Sequence, residues 1–293
     1  MVKKLIFQIH IYKEHARIEV RISVTVTNHS SMAKFCANLS FLFNEVPFLQ
    51  RYAAAKSAGF QGVESGFPYG FSKEQVVQAK NAAGIEQILL NTLTGDVKKG
   101  ELGYAAIPGK QQQFHETFQT TLDYARGLGV KKIHIMSGTE LGEVTEAHHK
   151  TYVENLKYAA TLLEKEGILG VIEPINKYSI PKYYMNSYER AIEVLKEVNS
   201  SSLKLQLDIF HLQLIKGNIT HTIQEVQPFI GHVQIAQAPN RNEPNIAGEI
   251  DYRYVLEIIK NEANYADWIG LEYSPERDTV KGLEWIQNFG YNL

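Results

Sequence analysis

The chain predicts an α/β protein, a (β/α)8 TIM barrel in a single domain. Three observations carry that expectation. Short apolar strands alternate with amphipathic helical stretches from Ala33 onward. A glycine followed by an apolar residue recurs ahead of the strands, as Ala58-Gly59-Phe60, Ala83-Gly84-Ile85, Leu128-Gly129-Val130 and Glu166-Gly167-Ile168. Such a glycine caps the C-terminus of a helix. The eight units fill about 260 residues, close to the roughly 250 typical of this barrel.

Strands are expected near Cys36–Phe41, Gly62–Glu64, Gln87–Asn91, Lys132–Met136, Gly170–Glu173, Lys204–Asp208, His232–Ala236 and Ile269–Tyr273. Helical periodicity places helices between them, among them Pro47–Ala58, Lys73–Ala83, Gln111–Leu128, Glu146–Glu166 and Tyr188–Val198. The segment Thr94–Gly109 after the third strand is long enough to serve as a lid. No Gly/Ser/Pro-rich linker divides residues 32–293, which are read as one barrel domain. Residues 1–31 differ. Ile18, Val20, Ile22, Val24 and Val26 alternate with polar neighbours, a period-two strand pattern with no evident partner. This stretch is read as an N-terminal extension outside the barrel.

Bulk composition narrows the function classes. The 293 residues are 44% hydrophobic and 21% charged, which is ordinary for a globular protein. A formal net charge of −2 and no basic stripe argue against a nucleic-acid partner. No apolar run reaches membrane-spanning length and no secretory core opens the chain, so no membrane partner is expected. The single cysteine, Cys36, excludes an internal disulfide framework and suits a reducing, cytoplasmic setting. It reads as a small buried strand residue. A homo-oligomer is compatible with the sequence.

Side chains alternate faces along a strand. Leu203, Leu205 and Leu207 should therefore meet the helices, with Lys204, Gln206 and Asp208 pointing inward. The same parity sends His232 and Gln234, Gly270 and Glu272, Lys132, His134 and Met136, and Cys36, Asn38 and Ser40 inward. Barrel interiors are usually apolar, so this polar lining suggests chemistry at the C-terminal strand ends. Glu173, Asp208 and Glu272 close their strands and Gln234 lies just before the end of its own. Three carboxylates and an amide oxygen at one mouth suit a hard divalent cation, magnesium or manganese rather than zinc. His211, three residues after Asp208, is a candidate contact to substrate or to a metal ligand, or else a helix-capping residue. Arg241, in the loop after the seventh strand, is a candidate for binding a substrate carboxylate. His134 and Asn91, on the fourth and third strands, complete the substrate-binding candidates, with His134 reading equally as a satisfied core histidine. The tandem His148-His149 reads as solvated helix surface, and Tyr183-Tyr184, in the loop after the fifth strand, as residues that either help close the mouth or simply pack.

The carrying stretches are Ala37-Asn38-Leu39-Ser40-Phe41, Ala58-Gly59-Phe60-Gln61-Gly62-Val63-Glu64, Phe67-Pro68-Tyr69, Ile172-Glu173-Pro174-Ile175-Asn176, Asp208-Ile209-Phe210-His211, His232-Val233-Gln234-Ile235-Ala236 and Arg241-Asn242-Glu243-Pro244. By these the chain resembles the hydroxypyruvate isomerase family of the xylose isomerase-like barrels, from Met32 to the C-terminus. The resemblance implies a metal site at Glu173, Asp208, Gln234 and Glu272, with Glu173 and Glu272 as the acid/base pair. It implies interconversion of hydroxypyruvate and tartronate semialdehyde, a small hydroxy-oxo acid substrate, through a metal-stabilised enediolate. Related sugar epimerases carry His where this chain has Gln234, which favours the hydroxypyruvate branch. Ser65-Gly66 and Leu93-Thr94 depart from the family pattern near the mouth and bear on substrate preference. A 2-oxo-tetronate isomerase or ketose epimerase on the same scaffold is the alternative. A phosphodiesterase like the apurinic-site endonucleases would call for more histidines, and a non-catalytic barrel would have no need of the acid set.

Overall fold

The computed structural model describes residues 33–139 and 142–293 in full and the backbone of residues 4–14 and 17–27. It divides into two compact units, Met1–Met32 and Ala33–Leu293. In the first, β1 (Lys4–Glu14) pairs antiparallel with β2 (Arg17–Thr27), from Lys4 opposite Thr27 to Glu14 opposite Arg17. The alternating strand of the extension thus has a partner, which the sequence reading did not supply. Leu5, Phe7, Ile9 and Ile11 carry the same alternation.

The second unit is a closed barrel of eight parallel strands. In chain order it runs β3 (Lys34–Asn38), α1 (Phe48–Ser57), β4 (Gly62–Ser65), α2 (Lys73–Ala83), β5 (Glu86–Asn91), α3 (Gln111–Leu128), β6 (Lys132–His134), α4 (Glu146–Glu166), β7 (Leu169–Ile172) and α5 (Tyr188–Val198). It continues with β8 (Leu203–Asp208), α6 (Ile209–Ile215), α7 (Ile219–Val226), β9 (Ile230–Ile235), α8 (Tyr252–Asn261), β10 (Trp268–Leu271), α9 (Thr279–Gly282) and α10 (Glu284–Asn288). Each strand pairs with its sequence neighbour, and β10 closes the ring by pairing with both β9 and β3. The expected (β/α)8 architecture is therefore the observed one. Among the described residues no helix is long and apolar enough to cross a membrane.

Local chemistry sets the boundaries. Ser72 caps α2 by accepting from the Gln75 N–H, while the Gln75 side chain accepts from the Ser72 N–H, a reciprocal capping box. Gly84, Gly129 and Gly167 end α2, α3 and α4 in the left-handed region, at φ 61°, 71° and 61°. Strands end slightly sooner than their apolar runs. After Asn38 the chain turns, with the Phe41 and Leu42 N–H groups both donating to the Asn38 carbonyl. After His134 the Met136 N–H donates to Thr92 Oγ1 at 3.0 Å.

Strand parity separates two buried layers. Leu203, Leu205, Leu207, Val233, Ile235, Ile269, Leu271, Ile133 and Ile135 belong to the apolar core packed with the helices. The inward positions are polar, and Glu64 is their centre. Its buried carboxylate accepts from His232 Nε2 (2.7 Å), Gln234 Nε2 (2.7 Å) and Asn38 Nδ2 (3.0 Å), with Cys36 Sγ at 3.6 Å. Lys132 Nζ lies 3.2 Å from His232 Nδ1, so the ring proton sits on Nε2 and is donated to Glu64. Burial opposes ionisation of Glu64, yet the His232 side chain and the hydrogen bonds from His232, Gln234 and Asn38 hold its carboxyl below the ordinary value. A buried carboxylate left without such partners would cost several kcal/mol, about 3–5. Cys36 is buried, as expected, and burial and the Glu64 charge push its thiol well up. It is a packing residue of this network.

One side chain departs from the sequence reading. His148 is buried, with Nδ1 accepting from the Thr145 N–H (3.0 Å) and the ring stacked on Tyr184, whereas His149 is more open and meets Glu197 Oε2 at 2.7 Å. Successive helical residues point about 100° apart, so a tandem pair straddling the edge of a face divides between core and solvent. Tyr183 is buried too, its hydroxyl accepting from the Ser137 N–H.

Gly270 makes room for Glu64. A Cβ there would lie 2.4 Å from Glu64 Oε1, a carboxylate pinned on several sides. Gly270→Ala is expected to destabilise the protein by about 1–3 kcal/mol, the usual cost of overpacking a rigid core. Thermal denaturation checks this, and an unchanged melting temperature would contradict the described packing.

Candidate active site

The C-terminal mouth of the barrel gathers the acids. β7 delivers Glu173 just beyond its last residue, and Pro174 prevents the strand from continuing. β8 ends on Asp208, which also caps α6: its Oδ1 accepts from the Phe210 N–H (2.8 Å) and the His211 N–H (3.4 Å). Glu272 follows β10, and its Oε1 accepts from Asn38 Nδ2 at 2.9 Å. Asn38 therefore bridges Glu272 to the Glu64 network beneath. Gln234 lies opposite Asp208 in the β8–β9 register.

His211 and Arg241 join this group. His211 Nε2 is 3.6 Å from Asp208 Oδ2 and 3.8 Å from Glu173 Oε1. Arg241 Nη2 pairs closely with Glu272 Oε2 and lies 3.5 Å from Asp208 Oδ2, while its Nε donates to the Glu272 carbonyl at 3.3 Å. The guanidinium is held between the rings of Phe41 and Phe210, at 4.6 and 5.0 Å from their centroids. Arg241 adopts a left-handed backbone (φ 59°), fixed by hydrogen bonds from its N–H to Gln237 O and from the Ser274 N–H to its own carbonyl, both 2.8 Å. A non-glycine residue held there costs on the order of 1–3 kcal/mol, a strain typical of functional loops.

His134 Nδ1 stands 3.5 Å from Glu173 Oε2. Asn91 closes β5, three strands from β8, and its Nδ2 contacts Met136 Sδ at 3.6 Å. It lines a different part of the rim from Arg241. The Thr94–Gly109 segment is tied to the barrel through Ala106 N–H to Ser137 O (2.8 Å) and Asn155 Nδ2 to Ala105 O (2.8 Å).

Gln234 departs from a simple ligand picture. The Glu64 carboxylate can only accept, so it fixes the Gln234 amide with Nε2 toward Glu64. Gln234 Oε1 accepts from Gln206 Nε2 at 2.7 Å, and one oxygen lone pair remains for any other partner. Glu64, the anchor of Gln234 and Asn38, was missed, although parity along β4 from Gly62 offered a signal that could have turned it inward. Asn176 was likewise missed: it lies on an irregular loop where periodicity says nothing, and it hydrogen-bonds His211.

Electrostatics decide what the mouth can hold. Burial pushes Glu173 well above the ordinary carboxyl range, and the Glu272 and Asp208 charges add to it. Burial lifts Glu272 to about 8 despite Arg241, and it raises Asp208 as well. His134 is pushed down to about 3 and His211 well below its ordinary value by burial, so both rings are neutral. A guanidinium this close favours an ionised carboxylate, but it is shared between Glu272 and Asp208 with Glu173 nearby. Three carboxylates against one guanidinium leave two negative charges uncompensated, to be met by protons or by one divalent cation. Glu173 Oε1 is also buried without a hydrogen-bond partner. The donor set and the charge deficit both fit a hard divalent ion.

The metal-free protein should lose stability as pH rises. The unfolded chain releases the Glu272 proton near the ordinary 4.5, while the folded mouth keeps it until about 8. Between these values the unfolded state binds fewer protons, so stability falls with pH and levels off above the folded value. Melting temperatures across this window should drop, Glu272→Gln should flatten the drop, and magnesium or manganese should raise the melting temperature more at pH 8 than at pH 5. A rising profile in the metal-free protein would contradict the described burial.

Comparison with known proteins identifies the family. Residues 52–289 match the family model for the xylose isomerase-like TIM barrel. The hydroxypyruvate isomerase of Escherichia coli K12 is 41% identical over 88% of this chain and 100% of its own length. A 2-oxo-tetronate isomerase of Cupriavidus necator is 38% identical, covering 88% of this chain and 99% of its own. A solved structure from Brucella melitensis, described as an AP endonuclease of family 2, superposes with a TM-score of 0.85 at 38% identity, covering 88% of this chain and 99% of that one. The chain is an isomerase and belongs to the hydroxypyruvate isomerase family of xylose isomerase-like TIM barrels.

Proposed function

We propose that this isomerase interconverts hydroxypyruvate and 2-hydroxy-3-oxopropanoate (tartronate semialdehyde) by proton transfer between adjacent carbons. The observation that carries this reading is the set of carboxyl groups with raised proton affinity, the buried Glu173 and Asp208 and the partly exposed Glu272, packed around one arginine at one mouth. The similarity to the E. coli hydroxypyruvate isomerase supports the substrate.

The reaction needs a base on the hydroxymethyl carbon and an acid for the neighbouring carbon. Removing the C–H proton sends its electron pair into a carbon–carbon double bond and the carbonyl pair onto oxygen, giving an enediolate. Reprotonation at the adjacent carbon, with the hydroxyl proton passing to the former carbonyl oxygen, leaves the aldehyde and a new hydroxyl. Glu173 and Glu272 suit these roles because they stand on strands well separated around the ring, and their elevated proton affinities bring acid/base work toward neutral pH. Arg241, held in plane by Phe41 and Phe210, would orient the substrate carboxylate. His211, His134 and Asn91 would contact its oxygens. Glu173, Asp208, Gln234 and Glu272 would hold a divalent cation, magnesium or manganese by their oxygen donors. When bound, that ion supplies Lewis-acid stabilisation of charge on the substrate oxygens. The single cysteine, suited to a reducing setting, supports a cytoplasmic location.

A 2-oxo-tetronate substrate is the second reading, favoured by the C. necator relative. It adds a carbon to the same oxo-acid core, so the loops near Ser65-Gly66 and Leu93-Thr94 would decide between the two.

Incubation with hydroxypyruvate in heavy water, with and without chelator, should give tartronate semialdehyde with deuterium at the exchanged carbon, and chelation should stop it. A 2-oxo-tetronate tested in parallel should turn over more slowly; the reverse order would move the assignment to the second reading. Glu173→Gln and Glu272→Gln should each cut turnover by about 10²–10⁴-fold or more while circular dichroism shows an intact fold. Near-normal activity in either variant would contradict the acid/base assignment. Arg241→Lys keeps the charge but loses the planar fork, and should raise KM for hydroxypyruvate at least about tenfold.

A further inference from the structure

We propose that Asn176 is a positioning residue that holds the His211 proton on Nε2, so that His211 presents an N–H rather than a lone pair to the mouth. The inference rests on the reading of Glu173 and Asp208 as catalytic-site carboxylates. By proximity alone, Glu173, Asp208 and His211 form a three-ligand metal cluster, with ligand atoms all within 4.8 Å of one another. The far side of the imidazole says otherwise.

Two donors converge on His211 Nδ1. The Asn176 backbone N–H points to it at 3.3 Å and Asn176 Nδ2 lies 2.6 Å away. The orientation of the Asn176 amide is not free, because its Oδ1 accepts the N–H groups of Tyr178 and Ser179, both at 2.9 Å. Those donors cannot be exchanged for acceptors, so the NH2 group must face the ring. It donates to Ser179 Oγ (3.1 Å) as well. A ring nitrogen that receives two N–H groups must carry its lone pair there. The remaining proton of the neutral imidazole then sits on Nε2, the atom facing Asp208 and Glu173. At 3.6 and 3.8 Å it is too far for a direct hydrogen bond to either acid. An N–H aimed between two carboxylates cannot ligate a cation, but it can donate to a substrate oxygen on which negative charge develops. Asn176 thereby separates the acids, which hold charge, from the histidine, which donates.

Asn176→Asp is the discriminating variant. Its Oδ1 can still accept from Tyr178 and Ser179, so the loop and the residue size are kept, but the group facing His211 Nδ1 becomes an acceptor. The ring proton should move to Nδ1. In 15N-histidine-labelled protein, long-range NMR correlations should show His211 protonated on Nε2 in the wild type, with and without magnesium, and on Nδ1 in the variant. Turnover of hydroxypyruvate should fall about 100-fold in Asn176→Asp, more in kcat than in KM. Asn176→Ala keeps the backbone donor and should retain the wild-type tautomer with a smaller loss, about tenfold. A wild-type ring protonated on Nδ1, loss of the Nε2 proton on adding magnesium, or equal losses in both variants without a tautomer change would each overturn the proposal. The NMR readout needs no substrate. If the tautomers behave as stated and hydroxypyruvate is not turned over, the proposed reaction falls and the role of Asn176 at His211 stands.

Discussion

The constraint on which the site depends is the crowding of like charge in a place with little water. Glu173, Asp208 and Glu272 sit at the top of a closed parallel barrel with a single guanidinium among them. In a medium of low polarity that arrangement is costly unless protons or cations neutralise it. The same cost makes the mouth useful. Carboxyl groups that hold protons more tightly than usual, yet can yield them, are suited to moving a proton from carbon to carbon. Binding a divalent cation and binding protons become alternatives drawn from one charge deficit.

The layer below keeps that arrangement rigid. Glu64, held as an anion by His232 and the amides of Gln234 and Asn38, forms a second, fully partnered polar centre. Through Asn38 it touches Glu272, and through Gln234 it fixes which end of that amide faces away from the carboxylate. Gly270 provides the space. The two centres have opposite characters. Glu64 has its hydrogen bonds satisfied and its proton affinity lowered, whereas the acids above it have raised proton affinity and Glu173 Oε1 has no hydrogen-bond partner. A structural network supports a chemical one, and the barrel interior is polar in both layers for different reasons.

Much of this was legible from the residues. Alternation of short apolar strands with helices ended by Gly84, Gly129 and Gly167 is a local signal, and it located the strands and five helices to within a few residues. Period-two parity separated Leu203, Leu205 and Leu207 from Gln206 and Asp208 because a strand exposes its faces in strict turn. Pro174 marked the rim at Glu173. The pairing of the N-terminal strand escaped, since its partner segment was not weighed, and so did the burial of His148, because neighbouring helical residues share a helix but not a face.

What the sequence determined by itself was therefore periodic: the barrel, the inward faces, and the acids that end its strands. Tertiary structure alone decided who partners whom. Glu64 reaches His232 across 168 residues of chain, Arg241 reaches Glu272 and Asp208 from a neighbouring loop, and Asn176 meets His211 from the loop after the previous strand. Such contacts depend on ring closure and on irregular loops, where no repeat links position to direction. Proton affinities and tautomers follow from those partners, so they too became readable only once the strands were closed into a ring.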